Sequence, residues 1–153
     1  MKVSKQDQKL LAIWAADCAE HVLPYFEKKY PEDNRPKEAI ETLQAWIDTG
    51  EFKMAVIRGS SLAAHAAARK AKKDSAAQFA ARAAGQAVAT AHVPSHSIGA
   101  AWYGIKAVNA AGADTDKERE WQYQRLPKHL RPFILQLSKK RPALAKVLRY
   151  PAV

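Results

Sequence analysis

One cysteine, six glycines and no acidic residue after Glu120 are what this 153-residue sequence offers where other proteins offer more. Cys18 has no partner for an internal disulfide, so nothing here argues for an oxidising compartment. The alternation of Val, Ile and Thr that marks half-buried strands never appears. No stretch is both long and apolar enough to span a bilayer, because alanine-rich runs bury too little per residue. The N-terminal "MKVSKQDQKLLAIWAADCAEH" carries charge inside its apolar run, which a signal peptide does not. These absences predict a cytoplasmic protein with no membrane partner.

What is present is alanine, roughly a fifth of the chain, within a composition that is 48% hydrophobic. Alanine has the best helix propensity and lets helix axes approach closely. The expectation is an all-α fold, one compact domain over residues 1–153 of about six to eight helices, as a bundle or a solenoid-like stack.

Apolar spacing places the elements. A first helix spans about Gln6 to Val22, with Leu11, Ala15, Cys18 and Val22 as its stripe and Pro24 as its interruption. Asp33 or Asn34 caps a second, with Pro36 in its first turn and Gly50 as its stop. A third runs from about Phe52 to Lys72 and a fourth from about Ser75 to His92. The third carries a polar stripe of Arg58, Ser61, His65, Arg69 and Lys72; the fourth carries Gln78, Arg82, Gln86 and Thr90. A fifth begins near Ser95, and Thr115 with Glu118 has capping-box spacing for a sixth. Pro127, Pro132 and Pro142 divide the rest into short helical pieces. Trp14, Trp46 and Trp102 each fall on or beside an apolar stripe, which predicts one shared core.

Charge is unevenly placed. Residues 121–153 form a basic helical segment in which Arg125, Lys128, Arg131, Lys139, Lys140, Arg141, Lys146 and Arg149 face no acid of their own. Such a segment attracts nucleic acid, acidic protein or anionic lipid, or is simply a solvated surface, and any nucleic-acid binding is expected to be weak and without sequence preference.

Several side chains stand out as candidates for a polar pocket. His92 and His96 flank Pro94, so the same-face argument for two histidines four apart does not apply, and capping of adjoining helix ends is the simpler reading than metal ligation. Asp17 and His21 lie one turn apart on the first helix, where a carboxylate can orient an imidazole or make only a local contact. Cys18 reads as a small buried hydrophobe. Arg35, Arg82, Arg119 and Arg125 call for carboxylates if buried, and Asp17, Glu20 and Asp33 are available. His65 and Gln86 complete the pocket set. Trp121, Arg125 and Arg131 are the candidates for a partner-binding surface, as an aromatic among cations. No nucleophile motif, phosphate-binding glycine loop or metal-spaced ligand set appears, and no metal or cofactor is expected. An enzyme built from Asp17, His21, His65, His92 and His96 ranks last. A nucleic-acid module using Trp121, Tyr123, Tyr150 and the Arg125–Arg149 cations ranks above it.

The segments "WAADCAEHVLPYFE", "YPEDNRPKEAIETLQAW", "AARAAGQAVATAHVPSHSIGAAWYGIKA" and "EREWQYQRLPKHLRP" resemble, in order, an alanine-rich bacterial family of immunity proteins. These are the immunity-group-five-like proteins associated with polymorphic toxin systems. The resemblance implies an all-α cytosolic protein that binds and neutralises a cognate toxin, and it brings no catalytic residues with it. Immunity proteins against nucleases are commonly acidic, whereas this chain is basic. The resemblance therefore implies a toxin with an acidic contact face, or a contact that avoids the basic segment.

Overall fold

The computed structural model describes residues 2–152. Its elements are α1 (Lys5–Glu27), α2 (Arg35–Thr49), α3 (Met54–Lys70), α4 (Ser75–Ala89), α5 (His96–Ala110), α6 (Thr115–Arg125), a 3-10 turn at Lys128–Leu130, α7 (Arg131–Lys140) and α8 (Pro142–Leu148). The described residues contain helices and no strand.

α4 is the central helix, in contact with α1, α2, α3 and α5. Its sequence explains why. Ala77, Ala80, Ala81, Ala83, Ala84, Gly85, Ala87 and Val88 are all buried, so neighbours close in on several sides of a helix with almost no side-chain bulk. Around it, α1 and α5 stand as a wall between two hydrophobic clusters. One face of α1 (Ala12, Ala15, Ala19, Val22, Phe26) packs with α2, α3 and α4. Its other face (Leu11, Trp14, Cys18) packs with Ile98, Ala101 and Ile105 of α5 and with Leu126, Phe133, Ile134, Leu144 and Leu148.

The two clusters overturn the expectation of a single core for three tryptophans. Trp14 is buried in the second cluster, Trp102 lies half-buried against it, and Trp46 lies half-buried against the first. The expected α1 stripe likewise splits between clusters, because a helix buried on two sides has no single apolar face.

Three local expectations also change. Pro24 does not end α1, which continues to Glu27. Burial of Val22, Leu23 and Phe26 on either side of it offsets the hydrogen bond that proline cannot donate. α4 ends at Ala89, so His92 belongs to a turn. Thr115 and Glu118 form no capping box. Asp114 is the cap, accepting from the N–H groups of Asp116 and Lys117, and the carboxylate of Glu118 turns inward. Gly50 stops α2 as expected, in the left-handed region at φ 73°. Asn34 precedes α2 without a side-chain cap, while Asp33 accepts from the N–H of Arg35.

Candidate functional site

The candidate pocket residues divide among three places. His65, Gln86, His92 and His96 come together in a cleft of about 270 Å³ between α3, α4 and the start of α5. Arg82 supports it from α4. Asp17 and His21 lie on α1 opposite α6. Asp33 and Arg35 lie at the start of α2, in a shallow groove with Tyr30 and Lys70.

In the cleft, the polar stripes of α3 and α4 meet. The Arg82 guanidinium donates to His65 Nδ1 at 2.8 Å. Arginine only donates, so Nδ1 must accept and the proton of a neutral His65 sits on Nε2. Burial, with Arg82, Arg69 and His96 nearby, pushes this imidazole from 6.5 down to about 4. Arg82 therefore pairs with an imidazole, not with the carboxylate expected for it. His96 Nδ1–H donates to Gln86 Oε1 at 2.9 Å. Its own pKa is lowered by burial, then by His92 and Arg141.

Two glycines make this arrangement possible. A Cβ on Gly85 would lie 2.7 Å from His65 Nε2, and one on Gly99 would lie 2.7 Å from Gln86 Oε1. The His65 ring and the Gln86 amide each occupy the space that another residue would fill. Ser61 fastens α3 over the same spot, its hydroxyl donating to the Gly85 carbonyl at 2.9 Å. His92 is exposed and stacks on Phe52, ring centroids 6.0 Å apart. Met54, Ile57 and Leu62 supply the apolar wall and Arg58 the one formal charge.

At the α1–α6 contact, Asp17 and His21 do not pair with each other. The His21 Nδ1–H donates to the buried carboxylate of Glu118, 2.8 Å away, and Asp17 takes Arg125 at 3.4 Å. The reason is tertiary: α6 brings better-placed partners than the next turn of α1. Trp121 stacks on His21 with centroids 3.8 Å apart, and the Arg125 guanidinium lies 4.5 Å from the Trp121 centroid. Burial raises the Asp17 pKa, with Arg125 opposing it. Arg131 lies elsewhere, over the Tyr123 ring at 3.9 Å, donating to the Tyr123 carbonyl. Arg35 chelates Asp33 through two hydrogen bonds of 2.9 and 2.7 Å, which holds that carboxyl below its usual range. Arg119 donates to the Val147 carbonyl and pairs with Asp116. Cys18 is buried, and burial pushes its thiol well up.

The arrangement is one of preset donors and stacked rings, spread over two faces of a helical bundle. Among the described residues, no group of three or more His, Cys, Asp or Glu side chains could hold a metal ion. A family model described as "Imm-5 like putative immunity protein" matches residues 1–129.

The chain belongs to the Imm-5 like family.

No curated protein and no solved structure matches the chain. The Imm-5 like match takes in the cleft and the α1–α6 contact, while Arg131, α7 and α8 lie beyond it. Glu118, Arg58, Met54 and Leu62 were not foreseen as site residues. Arg58 left a trace as part of the α3 polar stripe and Glu118 as half of an expected capping box, but neither signal pointed to a site. Among the described residues, no helix is long and apolar enough to cross a membrane.

Proposed function

We propose that this protein neutralises a cognate toxin by stoichiometric binding and has no turnover of its own. Membership of an immunity-protein family carries the reading. Neutralisation asks only for a rigid surface that occludes or distorts a partner, and close packing of helices through the alanines of α4 supports that reading. Trp121 and Arg125 are the proposed anchors. The ring is already held by His21 and the guanidinium by Asp17 and the ring, so little side-chain entropy is lost when a partner covers them. Arg131, fixed on Tyr123, is a separate proposed anchor. The partner face that complements these cations is acidic.

Co-expression with a toxin encoded beside this gene tests the reading. The expected result is rescue of growth, lost on Arg125→Glu while the melting temperature stays within a few degrees of the parent. Rescue by sub-stoichiometric amounts of protein, or a neighbouring gene product without toxicity, overturns it.

A second, weaker activity has its own support. Lys128, Lys139, Lys140, Arg141, Lys146 and Arg149 are all exposed. Cations spread over short helices release counterions from a phosphate backbone without reading any base.

A further inference from the structure

The α3–α4–α5 cleft has a donor pattern that the toxin-neutralising reading does not use. His65 Nε2, Gln86 Nε2 and His96 Nε2 take no hydrogen-bond partner from the described residues. None of the three is a sealed, unsatisfied atom, and Arg131 Nε is the sole side-chain atom of that kind among the described residues. Each therefore opens to solvent, and all three residues line the same cavity. Their roles are fixed by what holds them. Arg82 makes His65 Nε2 a donor, and the bond from His96 to Gln86 Oε1 leaves the Gln86 amide N–H groups free to donate.

The electrostatics point one way. No Asp or Glu lines the cleft. His65 feels Arg82 from α4, Arg69 from its own helix and His96 from α5. His96 feels His92 from the preceding turn and Arg141 from the residue between α7 and α8. Arg58 stands exposed at the rim. The formal charges that line the cleft or act on its histidines (Arg58, Arg69, Arg82 and Arg141) are all positive, while Met54, Ile57 and Leu62 form a wall with no polar atom to satisfy.

We propose that this cleft binds a carboxylate carried on a short apolar stem. One carboxylate oxygen takes His65 Nε2–H, the other takes the Gln86 amide, and Arg58 closes on the pair from the rim. The stem lies against Met54, Ile57 and Leu62. A bound anion favours the charged form of His96, whose Nε2 is the open site for a proton, so binding takes up a proton and strengthens as pH falls. His65 stays neutral throughout, because protonating Nδ1 would break its bond from Arg82. The proposal stands without the toxin reading and survives its failure.

The chemistry has two sources, a free small carboxylic acid or an acidic side chain in a protein segment. Butyrate represents the first and the capped tripeptide acetyl-Leu-Glu-Leu-amide the second, each titrated into the whole protein by NMR on the histidine ring nitrogens. The expected result is saturable binding of at least one probe, with shifts at His65 and His96, at least several-fold tighter at about pH 6 than at about pH 8. Affinity falls about tenfold in Gln86→Leu and in Arg58→Gln, with unchanged melting curves. The tighter probe identifies the source. Butyramide is the control for charge. Equal binding of butyramide and butyrate, or no shift at His65 and His96 with either acid, overturns the proposal.

Discussion

At the scale of the residue, the most informative positions are those where a polar group occupies the seat of a missing side chain. Gly85 receives the His65 ring and Gly99 the Gln86 amide, so each glycine fixes a functional group by its own smallness. Replacing Gly85 by Ala gains helix propensity, about 1 kcal/mol, but cannot coexist with the ring where it lies. The expected outcome is that His65 swings out, loses Arg82, and titrates closer to 6.5 than to about 4. NMR titration of the ring checks it. The same depression carries a stability signature. Between about 4 and 6.5 the unfolded chain holds more protons at His65 than the folded one, so stability rises with pH through that window and is lost on acidification towards its lower end. Urea midpoints across the window should lose that part of their slope in His65→Gln.

At the scale of the element, α1 decides most. A helix with one apolar face can serve one cluster, but α1 presents Trp14 to one and Phe26 to the other, both almost fully buried. Trp14 Nε1–H also donates to the Gln122 carbonyl at 2.9 Å, tying α1 to α6. Trp14→Ala is therefore expected to cost about 3–5 kcal/mol, as for other large-to-small core changes. Trp46→Ala and Trp102→Ala, which leave half-buried sites, should cost about 1–2 kcal/mol each, since less area returns to water. Denaturant unfolding of the three variants orders them. A near-neutral Trp14→Ala would show that the second cluster does not hold the bundle. α6 shows the reverse dependence: its sequence is strongly polar, and it is placed by Gln122, whose amide donates to the Ala101 carbonyl at 3.0 Å and whose oxygen accepts from Tyr150.

At the scale of the whole molecule, charge separates by region. Eight of the ten net positive charges belong to Arg125, Lys128, Arg131, Lys139, Lys140, Arg141, Lys146 and Arg149, beyond the last acidic residue. Single-stranded DNA should therefore bind weakly and without sequence preference. Raising salt from about 50 to about 200 mM should lower the affinity by orders of magnitude, with a steep negative slope of log affinity on log salt. Fluorescence anisotropy reads this directly, and sub-micromolar binding at the higher salt would make nucleic acid the leading partner.

Helix identity was legible in the sequence because it depends on neighbours along the chain: alanine content, apolar spacing, Pro36 near a helix start and Gly50 at a helix end. The family was legible too, since ordered segments such as "AARAAGQAVATAHVPSHSIGAAWYGIKA" survive as text. Partnerships were not. Asp17 and His21 are one turn apart and still prefer Arg125 and Glu118, which lie about a hundred residues away along the chain and a few ångströms away in space. Arg82 met an imidazole for the same reason: α3 reached it before any carboxylate did. A pattern of spacing fixes which faces a helix has, but which face meets which neighbour is settled by packing around the small residues of α4. Only the tertiary structure decided that the polar stripes of α3 and α4 would meet as a cleft, that His65 would donate from Nε2, and that the three tryptophans would divide between two clusters, because packing and not spacing along the chain sets which faces meet.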